Sequence, residues 1–174
     1  MKAVVCSSYG PPENLALEDI PNPKANENEA IVEVYSASLN FPDGLQIQGK
    51  YQFQPPMPFT PGSEVGGVIK SLGSGLKGFE IGDRVMAIPG LGGLAEEVAV
   101  KSEGLRKIPQ SMDFKTAASF AMVYTTSYYA LKQRANLKPG ETLLVLGASG
   151  GVGLTAVELG KLMGARVIAA ASSD

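Results

Sequence analysis

Short stretches in which apolar and polar residues alternate recur through the first two thirds of the chain. Lys2 to Ser7, Glu29 to Ser38, Glu64 to Leu72, Asp83 to Ile88 and Leu94 to Val100 read as strands. Gly-Ser-Gly at 73–75 and Gly-Leu-Gly-Gly at 90–93 read as turns. This pattern predicts an all-β unit, a small closed or partly closed barrel. Eleven of the twelve prolines lie at or before Pro109, and the period lengthens beyond it. Ser111 is placed to cap a helix beginning near Met112, with Asp113 in its first turn where a carboxylate suits the helix dipole. Helical sequence continues, with room for one break, through Ala135. Residues 137–141 form a turn, and Thr142 to Leu146 is a β-branched and leucine-rich run. A glycine-rich stretch, Gly147-Ala148-Ser149-Gly150-Gly151-Val152-Gly153, comes next. Apolar positions 152, 156, 159 and 163 then define one helical face, and Gly164 suits a left-handed cap. Arg166 to Ala171 is a further apolar run. The division falls into segments 1–110 and 111–174, with no internal repeat.

Composition narrows the chemistry. The chain has 174 residues, 44% hydrophobic and 18% charged, which is ample material for a core. The net charge is -2 and like charges do not cluster, so nucleic acid and anionic membranes are not expected partners. No 18-residue apolar window and no leader pattern is present, which gives a cytoplasmic protein as the expectation. Histidine is absent and Cys6 is the sole cysteine, so neither a structural zinc site nor a Ser-His-Asp or Cys-His hydrolase can be assembled from the usual groups. Tyrosine, carboxylate, lysine, water or a cofactor must do the work.

Residues 142–171 have the size and order of one βαβ unit, and the glycines have physical roles in its turn. Gly147 permits a tight exit from the strand, Gly150 lets backbone approach a pyrophosphate, and Gly153 allows close packing of helix on strand. The N–H groups at the helix start then bind phosphate. A glycine triplet alone is a weak signal, and its place between strand and helix supplies the confirming context. The second strand runs out in Ala169-Ala170-Ala171-Ser172-Ser173, without the acid that selects NAD, and this favours NADPH. Asp174 supports the opposite choice if the strand runs longer.

Six segments in order resemble the medium-chain dehydrogenase/reductase superfamily, in its zinc-free quinone oxidoreductase (zeta-crystallin-like) branch. They are Asn40-Phe41-Pro42-Asp43, Gln48-Gly49-Lys50-Tyr51, residues 58–68, residues 79–85, residues 125–131, and Pro139-Gly140-Glu141 leading into the glycine turn. The resemblance implies a GroES-like β-barrel domain over 1–110, with substrate and catalytic roles. It implies the beginning of a Rossmann NADP-binding domain over 111–174, with the active site in the cleft between the two. Asn40, Ser63 and Met122 stand where zinc-dependent members of the superfamily carry metal ligands, so no metal is expected.

The resemblance places Thr126 against the nicotinamide carboxamide, Asn40 along the substrate and nicotinamide side, and Tyr51 where related enoyl-thioester reductases have a proton donor. A phenol keeps its proton at neutral pH and so has one to give. Read from the residues alone, Tyr51 serves equally as a pocket wall, Thr126 as a helix-interior hydroxyl, and Asn40 as a turn residue before Pro42. Glu64 is taken as a buried structural carboxylate. Ser149, Gly151, Val152, Ser172 and Ser173 complete the expected cofactor set, with Tyr51 and Asn40 as the catalytic pair. Family members run to about twice this length, which makes the chain an expected fragment. The implied activity is NADPH-dependent, zinc-independent hydride transfer to a quinone or an α,β-unsaturated carbonyl compound, by a homodimer. The alternatives are an enoyl-thioester reductase and a non-catalytic NADPH-binding member of the family.

Overall fold

Alternation in the first part of the chain produces strands β1 (Lys2–Val5), β3 (Glu29–Ala37), β4 (Val65–Leu72), β5 (Arg84–Ala87) and β6 (Glu97–Lys101). Two more strands join them without a sequence signal of their own, β2 (Ala16–Asp19) and β7 (Leu105–Lys107). The computed structural model describes residues 1–172, and the chain divides into two units, Met1–Ser119 and Phe120–Asp174.

In the first unit five strands form an antiparallel sheet in the order β6-β3-β4-β5-β7, and β1 pairs with β2. β1 also meets the segment ahead of β6, where Val4 N–H donates to the Leu94 carbonyl at 2.8 Å and Glu96 N–H to the Lys2 carbonyl at 3.1 Å. The expected strand over 94–100 therefore begins only at Glu97, because residues 94–96 are engaged with β1. The result is the partly closed form of the expected barrel. Its core is made by every second residue of the strands: Ala30 and Val32, Val65 and Ile69, Val85 and Ala87, Val98 and Val100, closed by Leu105.

Two adjacent glycines govern how close the neighbours of β4 come. A Cβ on Gly67 would overlap the Glu33 carbonyl of β3, next to a register shift between Val34 and Ser36. A Cβ on Gly66 would lie 2.5 Å from the Phe114 carbonyl of helix α2 (Phe114–Ala118). The cap of α2 is Asp113 and not Ser111: its carboxylate accepts from the Thr116 N–H at 2.7 Å. That bond holds the Asp113 carboxyl below the ordinary carboxylate range.

Arg84 binds this stretch to the sheet. Its guanidinium donates to the carbonyls of Pro109 (3.1 Å), Gln110 (2.9 Å) and Met112 (2.6 Å), and lies 4.5 Å from the centre of the Phe114 ring. The first unit consequently runs on to Ser119, past the residue 110 boundary at which the prolines thin out.

The second unit contains α3 (Ala121–Tyr128), which continues as a π-helical turn over Tyr129–Arg134, and then β8 (Thr142–Leu146), α4 (Gly151–Leu162) and β9 (Arg166–Ala170). β8 and β9 pair in parallel from Thr142 opposite Arg166 to Leu146 opposite Ala170, which completes a βαβ unit. Gly164 has φ +81°, the left-handed cap expected of it.

The buried face of α4 differs from the apolar stripe. Val152 is 47% exposed, whereas Thr155 and Gly160 are buried. The Thr155 hydroxyl meets the Ser127 hydroxyl of α3 at 2.8 Å, and a Cβ on Gly160 would lie 2.6 Å from Leu143 of β8. Gly160 therefore shares with Gly153 the close approach of the helix to the strands. Leu144, Leu146 and Ile168 remain exposed. Among the described residues no helix is long and apolar enough to cross a membrane.

Two outcomes follow from this packing. Arg84→Ala removes three hydrogen bonds from a charged donor and is expected to lower stability by about 2 kcal/mol, measured by denaturant unfolding; an unchanged midpoint contradicts it. Amides of β8 and β9 are expected to exchange faster than those of β3 and β4, since the two-stranded sheet leaves the apolar face of Leu144, Leu146 and Ile168 in water. Equal protection in hydrogen-exchange mass spectrometry is the contrary result.

Candidate functional site

The expected site residues fall on both units. In the first, Asn40 precedes helix α1 (Phe41–Ile47), which the alternation does not announce. Asp43 closes its first turn by accepting the Asn40 backbone N–H on Oδ2 at 2.7 Å, while the Asn40 side chain faces the Asp43 N–H. Ile47 anchors the far end of α1 among Cys6 and Phe59. The Asn40 amide is held in turn by Ser38: Nδ2 donates to Ser38 Oγ at 2.9 Å, and that hydroxyl donates to Glu64 Oε2 at 3.0 Å. Glu64 is fully buried, as the sequence reading of it required. Leu39 and Phe41 stand exposed on either side of Asn40.

Tyr51 is half-buried and lies past the other end of α1, beyond the positive-φ Gly49. Seven helical residues span about 10 Å, so Asn40 and Tyr51 lie beyond opposite ends of the helix. Beside Asn40 a cavity of about 240 Å³ is lined by Leu15, Leu39, Asp43, Ile47 and Leu94. Asp43 Oδ1 is buried in this lining without a hydrogen-bond partner, and so, elsewhere in the first unit, are Gln46 Oε1 and Ser63 Oγ. Asn40, Ser63 and Met122 offer an amide, a hydroxyl and a thioether, which do not fit the thiolate, imidazole and carboxylate set that holds zinc. Among the described residues no three His, Cys, Asp or Glu side chains cluster in a metal-binding arrangement.

In the second unit the chain leaves β8 through Gly147, at φ +65°, and turns back on itself where Gly150 N–H donates to the Gly147 carbonyl at 3.1 Å. Ala148 N–H is tied to the Ala170 carbonyl of β9 at 3.0 Å. Gly150 is the N-cap of α4 and no side chain caps the helix, so the first-turn N–H groups of Gly151, Val152 and Gly153 face out of its end. Ser149 is exposed beside them.

The glycines of the turn differ in what constrains them. A Cβ on Gly153 would overlap the Gly147 carbonyl, so the chain itself demands glycine there. At Gly150, with φ -79°, a Cβ would meet only the Gly147 carbonyl, at 3.5 Å. Space at Gly150 is thus left open by the protein and fits a group brought close to the backbone.

Thr126 is exposed on α3, and its hydroxyl donates to the Met122 carbonyl at 2.6 Å, leaving its oxygen free to accept. Ser172 is exposed just past the end of β9, and Ser173 lies outside the described residues. Several contacts that shape this unit carry no sequence motif. Ser127 Oγ also donates to the Val152 carbonyl at 2.8 Å, tying α3 to the first turn of α4. Tyr124 donates to Glu158 of α4 in a short hydrogen bond, which raises the phenol's pKa, and stacks 4.4 Å from Phe120.

Comparison with known proteins agrees with this architecture. Residues 26–110 match the alcohol dehydrogenase GroES-like domain. The chain is 40% identical to a quinone oxidoreductase-like protein 2 homolog of Nematostella vectensis, over 99% of this chain and 48% of that protein. Among solved structures it superimposes on the quinone oxidoreductase of Thermus thermophilus, a protein also known in complex with NADPH, with a TM-score of 0.88 and 40% identity over 99% of this chain and 54% of that one. It also matches the CurK enoyl reductase, with a TM-score of 0.89 and 29% identity over 98% and 54% of the two chains. The chain spans about half the length of the curated relatives it matches. With a GroES-like sheet, a glycine-turn βαβ unit and this similarity along almost its whole length, the chain is similar to the quinone oxidoreductase branch of the medium-chain dehydrogenase/reductase superfamily.

Proposed function

We propose that this chain carries the substrate-side and pyrophosphate-side residues of an NADPH-dependent, zinc-independent oxidoreductase that reduces a quinone or an α,β-unsaturated carbonyl compound. The observation that carries the reading is the uncapped start of α4 beside Gly150, where the protein leaves a Cβ-sized space against its own backbone. The N–H groups there, with the positive end of the helix dipole, suit a pyrophosphate. Gly147, Ser149, Gly150, Gly151, Val152 and Gly153 would hold it. Ser172 and Ser173 would face a 2′-phosphate, with Ala171 leaving room where an acid would repel it. The Thr126 oxygen would accept from a carboxamide. When bound, the cofactor supplies a hydride.

The chain's own residues deal with charge and protons. A carbonyl oxygen that gains negative charge during reduction needs a donor, and Asn40 offers an amide N–H. Tyr51 holds a phenolic proton for the reduced product. Exposed Leu39 and Phe41 suit an apolar, conjugated acceptor. The reading is tested by titrating NADPH into the protein by fluorescence and following its oxidation with a panel of quinones and enones. Binding and turnover without added metal, insensitive to chelator, are expected. Absence of NADPH binding sinks the proposal. A second reading, enoyl-thioester reduction, has Tyr51 and the enoyl reductase similarity in its favour; it predicts preference for acyl thioesters and near-complete loss of activity in Tyr51→Phe.

The glycine turn yields a paired expectation. Gly150→Ala should keep its melting temperature while weakening NADPH binding by about tenfold or more, because the added methyl occupies ligand space. Gly153→Ala should instead lose about 1–3 kcal/mol of stability to overlap with the Gly147 carbonyl. Unchanged NADPH affinity in Gly150→Ala would remove the turn from the site. Ala171→Asp should shift preference toward NADH by placing an anion beside the 2′-phosphate; equal or better turnover with NADH in the unmutated protein contradicts the NADPH assignment.

A further inference from the structure

We propose that Ser38 and Glu64 are positioning residues that fix the hydrogen-bonding polarity of Asn40, so that Asn40 presents an N–H donor and not a carbonyl acceptor. The proposal rests on the reading above that Asn40 serves the reaction, but its geometry stands in the first unit alone. β3 ends at Ala37, opposite Val65 of β4, and the pairing continues one step further, with Ser38 N–H donating to the Glu64 carbonyl at 3.2 Å. The same two residues are joined by their side chains at 3.0 Å, and Ser38 Oγ receives Asn40 Nδ2 at 2.9 Å.

The direction of this relay follows from what each group has to give. A serine hydroxyl has one hydrogen, and Ser38 Oγ directs it at Glu64 Oε2. That hydrogen goes to Glu64, so the Ser38 oxygen has only lone pairs left for Asn40. The amide must therefore turn its NH2 end toward Ser38. Its oxygen end faces the Asp43 N–H at the first turn of α1. An amide flip would set Asn40 Oδ1 against the Ser38 oxygen, a clash of like polarity, while the Asp43 N–H already donates to the Asn40 main-chain carbonyl at 3.0 Å. The group left over is the second N–H of Nδ2. Glu64, buried without exposure and itself far from solvent screening, strengthens each bond in the series. A fixed donor is what a carbonyl oxygen acquiring charge requires, and it needs no reorientation during the reaction.

The test reads the side-chain amide of Asn40 by proton–nitrogen NMR on the whole chain, in the unmutated protein, Ser38→Ala and Ser38→Thr. In the unmutated protein the two Nδ2 protons should differ, one exchanging with water about fivefold or more slowly than the other. Ser38→Ala should remove that difference, and Ser38→Thr, which keeps the hydroxyl, should restore it. Backbone spectra report whether each variant is folded; should Ser38→Ala unfold, Ser38→Cys, a weaker acceptor of similar size, is expected to reduce the difference.

Two equally exposed Nδ2 protons in the unmutated protein, or a difference that survives Ser38→Ala, overturns the relay. Quinone turnover gives the separate readout. Ser38→Ala should lower kcat about tenfold with the KM for NADPH unchanged, and threonine should recover it. An Asn40→Ala variant with undiminished turnover would refute the role of Asn40 in the reaction, whereas the NMR result alone decides whether Ser38 and Glu64 orient it.

Discussion

The register between β3 and β4 is the constraint on which the first unit depends. Because side chains alternate from face to face, a slip of one residue would turn Val32 and Val65 out of the core and carry Ser38 away from Glu64. The two glycines of β4 permit this pairing by letting backbone come where no methyl group would fit. One covers the approach of β3 at the register shift, the other the approach of α2. From that pairing come both the buried valine layer and the neighbour that Asn40 finds at the start of α1. Core packing and the candidate chemistry are two results of one alignment of strands.

Arg84 extends the influence of the sheet into chain that would otherwise leave it. Three carbonyls from 109–112 converge on one guanidinium, which lies over the Phe114 ring, and the Tyr35 ring of β3 packs 4.8 Å from that same phenyl group. A planar donor with several N–H groups can bind successive carbonyls in this way, which a lysine could do only as a point charge. The second unit is organised differently, by hydroxyls and small residues. Ser127 and Thr155 satisfy each other and nearby carbonyls where α3 meets α4, and Gly160 removes the side chain that would hold α4 away from β8.

These contrasts explain what was legible before the structure. Strands β3 to β5 are valine- and isoleucine-bearing runs bounded by turn residues and are readable, as are β8, β9 and the glycine turn, whose residue types have few other uses. Helix α1 was not, since Phe41-Pro42-Asp43-Gly44 looks like a turn and seven residues are too few to show a helical period; its only signal was Asn40 three residues ahead of Asp43 with Pro42 between. The buried face of α4 was misread because hydropathy favours Val152 over Thr155, while the packing surface was selected by hydrogen bonding and close approach. β2 is exposed along its length and so leaves no pattern. The relay behind Asn40 joins residues 26 positions apart, and no local spacing announces it.

The two kinds of glycine in the turn after β8 imply different evolutionary behaviour. Position 153 is policed by the chain's own carbonyl, so any population that must fold will keep it. Position 150 is not policed by the fold. In a library of variants selected for folding alone, alanine and serine would accumulate there freely, whereas selection for ligand would hold glycine. The residue at 150 would thus tell the two kinds of selection apart, at a place where folding itself is indifferent.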